Sequence, residues 1–305
     1  MFDLPKLGII LNPIAGGGRA INIEKQLVEY LRHRKIVFQL EKTNRPQHAT
    51  ELSSQMCKEL DIIVALGGDG TLNEVAAGAL ESIATIAPFP IGSGNDFNRI
   101  IGIPRKIALA IDTIISGTKR LIDIGKVVIQ NSLGTIQVKH FINTLGIGID
   151  AQIAKEVKGI KYLRGLPLYS LAAIKALSHY SPNTYSISEN GTTRKETAYL
   201  LCAGNGIYEG GGFKMLPDAN PSDSKLNICL IRKMSVWNAL PLVPKIIQGT
   251  HGGHEMISMW DSKRLSISSN QPFILHGDGE ILEENAMNVI IDIVPKAINV
   301  IVPSN

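Results

Sequence analysis

The 305-residue sequence lacks any apolar run approaching the roughly 18–20 residues that span a bilayer, because glycine, proline or a charge interrupts every hydrophobic stretch. No membrane-spanning helix is expected. Cysteine is scarce: Cys57, Cys202 and Cys229 lie far apart and show neither metal-ligand nor CxxC spacing. That excludes a disulfide scaffold and a zinc cluster, and it predicts buried thiols in a reducing cytoplasm. Charge of one sign is also lacking, since Lys+Arg 31 against Asp+Glu 27 leaves a net +4. This is too little to argue for nucleic acid, and no basic block with interleaved aromatics occurs. The small positive balance still suits phosphate ligands or an anionic membrane surface. The N-terminus, MFDLPKLGIILNP, places an acid and a proline before a short apolar run, with no small-residue cleavage site after it, so a secretory signal is not expected.

Familiar nucleotide signatures are missing too. There is no GxxxxGK[ST] phosphate loop, no GxGxxG after the first strand with an acid ~20 residues on, and no HRD or DFG of a protein kinase. Glycine, by contrast, is in excess: 29 residues, where an average usage of roughly 7% would give about 21. It follows no collagen-like period, so the surplus belongs to loops with special backbone geometry.

The first ~125 residues alternate strand and helix patterns. Leu7–Leu11, Val37–Leu40, Asp61–Leu66 and Ala84–Pro90 read as strands; Ile21–Arg34, His48–Leu60, Thr71–Leu80 and Ile107–Ser116 read as helices. Strand, glycine turn and helix repeated in this way predict a parallel sheet covered by helices. After Asp123 the texture changes to short β-branched strands: 126–129, 135–143, 184–189, 197–203, 225–232, 264–268 and 273–275. Helices at Leu168–Leu177 and Trp237–Gln248 interrupt them. An antiparallel sandwich is expected there. The predicted domains are 1–125 and 126–287, with one or two final strands at about 288–305.

Three glycine turns in the first domain each follow an apolar strand: Asn12–Gly18, Gly67–Thr71 and Gly92–Asp96. Such turns let a phosphate approach backbone amides closely, and a helix that starts behind one adds its positive dipole end. In open parallel sheets ligands gather at the carboxyl ends of strands, so the three turns should converge. Asp69 and Asp96 lie within these turns, Asp123 at the domain junction, and Asp278 and Glu280 in the later HGDGE. Carboxylates beside a phosphate cradle suit Mg²⁺, which takes oxygen ligands together with nucleotide phosphates. A further carboxylate can accept the proton of an attacking hydroxyl. Together these are the parts of Mg²⁺-dependent phosphoryl transfer. His251 and His254 are expected at ordinary turn or surface positions.

GGDGTLNEV, at Gly67–Val75, resembles the signature of the diacylglycerol kinase catalytic-domain superfamily, which also holds sphingosine kinases and, more distantly, NAD kinases. NPIAGGG, IGSGNDFNR, DIGK, FINTLGIGIDA, GNGIYEGGGFKMLPDA and GDGE follow in the family's order over nearly the whole chain. The soluble bacterial lipid kinases are the most similar branch. The resemblance implies an NAD-kinase-like α/β domain, then a β-sandwich, with the active site in the cleft between them and the last strand or two, at about 288–305, returning to the first domain.

It further implies ATP as substrate, with Asn12, Gly16, Gly67, Gly68, Asp69, Gly70, Thr71, Ser93 and Asn95 at the nucleotide and Glu74 one helical turn further in. Asp69, Asp96 and Asp123 would surround Mg²⁺. Asp278 would be the general base, with Glu280 in support. Two departures stand out. The family's GT before NDF is Gly92-Ser93 here, which keeps the hydroxyl. A DDG-type segment that holds a second, structural metal in some bacterial members reads Ser222-Asp223-Ser224, leaving Asp223 as the candidate ligand. The implied acceptor is a lipid hydroxyl, of diacylglycerol before a sphingoid base, met by peripheral contact with the membrane. A soluble acceptor, as for NAD kinase, and an inactive nucleotide- or lipid-binding protein are the other readings. A homodimer is compatible with all of them.

Overall fold

Continuous apolar runs form the centre of the first sheet. Every residue of β1 (Leu7–Leu11) is buried, as is every residue of the third strand, Ile62–Gly67, the pattern of strands covered on both faces. In the computed structural model, which describes residues 5–92, 94–104, 106–160, 162–163, 166–177 and 179–304, the chain divides into two units. One is Met1–Ile122 with Lys296–Asn305, and the other is Asp123–Pro295.

The first unit runs β1, α1 (Arg19–His33), β2 (Phe38–Lys42), α2 (His48–Met56), β3 (Ile62–Gly67), α3 (Asp69–Gly78), β4 (Thr85–Pro90), α4 (Asp96–Ile100) and α5 (Ile107–Ser116). All strand pairs are parallel, in the order β2-β1-β3-β4, and the end of the chain adds beside β4 with Asn299 opposite Thr85. β1 therefore has β2 on one side and β3 on the other. That reversal is the switch point where ligands of open parallel sheets bind. α1 turns Ala20, Leu27 and Leu31 inward, the one-sided burial that its periodicity predicts.

The chain enters the second unit along β5 (Thr118–Asn131). There follow β6 (Ile136–Phe141), β7 (Thr144–Gly148), α6 (Ile149–Gly159), α7 (Leu166–Leu177), β8 (Asn183–Glu189), β9 (Thr192–Gly204), β10 (Leu226–Arg232), α8 (Val236–Ala239), α9 (Leu242–Gln248), β11 (Ile257–Ser262), β12 (Arg264–Gly277) and β13 (Glu280–Val302). Pairing in this unit is antiparallel, in the order β11-β10-β9-β7-β12-β13; β8 bridges β9 and β12, and β5 forms a hairpin with β6. Alternation sorts the side chains. Leu201, Ala203, Ile228 and Leu230 join one core with Phe141, Tyr185 and Phe273, whereas Leu200, Cys202, Cys229 and Ile231 face a second core with Met215, Leu216 and Leu242. The first core is the interior of a β-sandwich.

Several elements differ from their sequence expectation. Ser269–Pro272 is polar and reads as a break, yet β12 continues through it by shifting register between Ser268 and Phe273. The helix expected over Trp237–Gln248 is two, separated at Leu240-Pro241. β7, α6 and β11 were not expected. Cys202 and Cys229 are buried as predicted, while Cys57 is half-buried. His251 opens the short 3-10 turn His251–Gly253, a turn position as expected, but it is fully buried, its Nε2 lying 3.1 Å from the Met215 carbonyl.

Candidate active site

The three glycine turns of the first unit are tied to one another. Asn12 Nδ2 donates to Thr71 Oγ1 (3.1 Å), joining the end of β1 to the start of α3. Arg19 donates to the carbonyls of Gly16 (2.9 Å) and Ile91 (3.3 Å), joining the first turn to the third. The Ile91 N–H reaches the Gly67 carbonyl (2.9 Å), and Gly68 packs directly on Gly92. A Cβ on Gly92 would stand 2.7 Å from Gly68 Cα, closer than real contacts allow. Gly92→Ala is therefore expected to cost about 1–3 kcal/mol of stability and to weaken nucleotide binding, read by denaturant titration and by calorimetry. Gly16 is required twice over: its φ is +61°, and a Cβ would meet the Ile91 carbonyl oxygen at 2.6 Å. At Gly17 and Gly18 the same positive φ opens onto free space, with nothing within 4 Å of a Cβ.

Asp69 begins α3, and its Oδ2 accepts the Asn95 N–H (2.7 Å) at the left-handed N-cap of α4. Burial raises its pKa, opposed by the backbone N–H groups of Asn95, Asp96 and Phe97. Its second oxygen, Oδ1, is buried with no hydrogen-bond partner. Asn95 Nδ2 donates to the Gly92 carbonyl (2.6 Å), which fixes the third turn. Asp96 is buried, with Arg99 Nη1 3.6 Å from its Oδ1. Gly70 lies in the first turn of α3. Ser93 lies outside the described residues. The expectation for Glu74 is corrected. Both of its oxygens accept N–H groups at the start of α2, from Gln47 (3.0 Å) and Ala49 (3.1 Å), so it caps that helix instead of facing a nucleotide.

In the second unit Asp123 is fully buried, and its Oδ2 accepts the Ser224 N–H (2.6 Å). Asp223 is exposed, its Oδ1 closing a turn onto the Lys225 N–H (3.1 Å). Asp278 sits at the tip between β12 and β13, with φ +51°. Its carboxylate accepts three backbone N–H groups, from Ile142 (2.8 Å) to Oδ2 and from Asn143 (2.9 Å) and Thr144 (3.0 Å) to Oδ1. Glu280, two residues on, is exposed. Beside Asp278, Asn143 Oδ1 and Thr144 Oγ1 are buried without hydrogen-bond partners. Both belong to the quoted FINTLG segment, whose resemblance was visible although neither residue was given a role.

Comparison with known proteins bears on the same segments. Residues 6–127 match the family described as diacylglycerol kinase catalytic domain, and residues 143–302 match the YegS C-terminal NAD kinase beta sandwich-like domain. A diacylglycerol kinase of Bacillus subtilis is 30% identical over 227 residues, 73% of this chain and 72% of that protein. The chain belongs to the diacylglycerol kinase catalytic-domain family. Another relative, a diacylglycerol kinase of Staphylococcus saprophyticus, is 29% identical over 76% of this chain and 74% of its own. The crystal structure of a diacylglycerol kinase from Bacillus anthracis superposes with a TM-score of 0.72 at 22% identity, covering 99% of this chain and 98% of that one, a likeness of fold.

Membership of this kinase family implies ATP as phosphoryl donor, and the resemblance adds Mg²⁺. The first unit offers a donor set for such an ion. Asp69 Oδ1, Asn95 Oδ1 and Asn98 Oδ1, around the start of α4, are buried oxygens with no hydrogen-bond partner. Bare buried acceptors are costly, and oxygen donors are what a hard divalent cation takes, so these residues fit Mg²⁺. Among the described residues, three ligand atoms of His, Cys, Asp or Glu gather in one other place, at Asp150, Glu209 and His276 of the second unit. Sequence reading missed that cluster because its members are far apart in the chain and belong to no local motif.

Proposed function

We propose that the protein is an ATP- and Mg²⁺-dependent lipid kinase that transfers the γ-phosphate of ATP to the hydroxyl of diacylglycerol or a related glycerolipid. The observation that supports this most is the bonding of three glycine turns into one cradle at the switch point of the parallel sheet. The open backbone of Gly17 and Gly18 leads straight into α1, and the second turn into α3, so amides and positive dipole ends are presented to the phosphates. The proposed cation ligands are the Asp69, Asn95 and Asn98 side-chain oxygens around the start of α4, together with Asp96 of the same turn. When bound, Mg²⁺ neutralises phosphate charge during transfer.

Asp278 takes the proton of the acceptor hydroxyl, its carboxylate held ready by the Ile142, Asn143 and Thr144 amides. The names of the relatives support a lipid acceptor, and the NDFNR and GNGIYEGGGFK segments support it over a soluble one. No helix among the described residues is long and apolar enough to cross a membrane. The lipid is proposed to be reached by peripheral contact from the cytoplasmic side.

The test offers γ-labelled ATP and Mg²⁺ together with NAD in solution and diacylglycerol in detergent micelles. Label is expected in the lipid alone. Label in the soluble dinucleotide would replace this reading with a soluble-acceptor kinase, and ATP consumption with neither product labelled would remove the acceptor assignment.

A further inference from the structure

His276 lies opposite Gly146 on β7, Gly146 opposite Cys202 on β9, and Cys202 opposite Cys229 on β10, one row on one face of the sheet. The glycine makes room above it. A Cβ on Gly146 would overlap both Asp150 Oδ2 and His276 Nε2. In that space His276 Nε2 is 3.1 Å from Asp150 Oδ2 and 3.0 Å from Glu209 Oε1, and the imidazole is 2% exposed. Nε2 makes a geometrically good hydrogen bond to neither oxygen and instead faces both at once. The Cys202 thiol lies 3.5 Å from Glu209 Oε2, and the Cys229 thiol also faces the two carboxylates. Among the described residues, no lysine or arginine forms an ion pair with Asp150 or Glu209.

The other ring nitrogen identifies the protonation pattern. Nδ1 accepts the Gly279 N–H (3.3 Å), so its lone pair is on that side and the ring proton is on Nε2. A neutral ring between two buried carboxylates leaves two like charges within 4.8 Å of each other, which cannot both persist. One further proton is needed, and it belongs on Glu209. Burial, and then the charge of Asp150, push its carboxyl up to about 7. The three groups share their protons as a unit. A metal-bound imidazole would instead coordinate through an Nε2 lone pair and donate its Nδ1–H to a neighbour, the reverse of the arrangement at Gly279.

We propose that Asp150, Glu209 and His276 form a proton-holding triad whose imidazole positions the turn that bears Asp278. The link is short: the Nδ1 acceptor fixes Gly279, the residue after Asp278, in a turn where Asp278 itself has a left-handed backbone. The functional half of this inference rests on Asp278 being the base.

Two side-chain swaps separate the two ends of the imidazole. His276→Gln keeps an N–H aimed at the carboxylates but removes the acceptor for Gly279, and kcat is expected to fall about tenfold or more with the KM for ATP unchanged. His276→Asn places an oxygen where Nδ1 was, and kcat is expected to recover. Equal rates in both variants and the wild type would overturn the positioning role, as would equal losses in both. A second measurement is independent of turnover. A carboxyl raised from 4.5 to about 7 in the fold contributes stability that is present below pH 4.5 and lost as pH rises through 7. The stability difference between wild type and Glu209→Gln should therefore change over that window. A constant difference, or a stoichiometric metal in the purified protein whose removal unfolds it, would overturn the triad. If Asp278→Asn retains full turnover, the base assignment fails, while this pH comparison still judges the triad.

Discussion

Asp278→Asn is expected to lower kcat by about 100- to 10,000-fold, the range that loss of a general base produces, with ATP affinity largely intact. The geometry explains why the carboxylate cannot be replaced by its amide. Both oxygens accept backbone N–H groups, Oδ2 from Ile142 and Oδ1 from Asn143 and Thr144. An amide turns one acceptor into a donor that faces another donor, so the variant also loses about 1–3 kcal/mol through the unsatisfied N–H. Loss of rate is therefore accompanied by a lower denaturation midpoint. Nucleotide calorimetry separates the two effects, because the hydrogen bonds that tie the three glycine turns together are made by residues of the first unit itself. A variant that binds ATP normally and still turns over at the wild-type rate would remove Asp278 from the mechanism.

Asp69→Asn should act on the nucleotide side. The amide oxygen can keep the Asn95 N–H bond that caps α4, so the third glycine turn stays in place. Its NH₂ then replaces the buried, unpartnered Oδ1, and a cation loses both a charge and a donor. A bond to a charged group is worth about 1.5–3 kcal/mol, so ATP is expected to bind roughly ten- to a hundredfold more weakly in the presence of Mg²⁺. Calorimetry with and without Mg²⁺ checks this. Wild type should show a Mg²⁺-dependent gain in affinity that the variant lacks. An unchanged gain would place the cation elsewhere.

What could be read in advance was whatever depends on neighbours in sequence. DIIVAL read as a buried strand and GGDGT as a turn into a helix, and those are β3 and the start of α3. The convergence of three turns followed from the rule for parallel sheets, and Asn12–Thr71 and Gly68–Gly92 are its physical form. Glu74 was misplaced because its role depends on the approach of α2 to α3, which no spacing within α3 reveals. β7 was missed because TLGIG is short and carries two glycines, one of which exists to clear space for Asp150 and His276. The triad itself joins residues 59 and 67 positions apart, 150 to 209 and 209 to 276. Only the register of β7 with β12 and the fold of the loop after β9 bring them together.

The central claim is transfer of the γ-phosphate to a lipid hydroxyl. The most direct test incubates wild type and Asp278→Asn in parallel with γ-labelled ATP, Mg²⁺ and a total lipid extract, and identifies the labelled product by mass. A single class of phosphorylated glycerolipid, formed by wild type and nearly absent with the variant, is the predicted result. Label that never enters the lipid fraction, or enters it equally with both proteins, would contradict it.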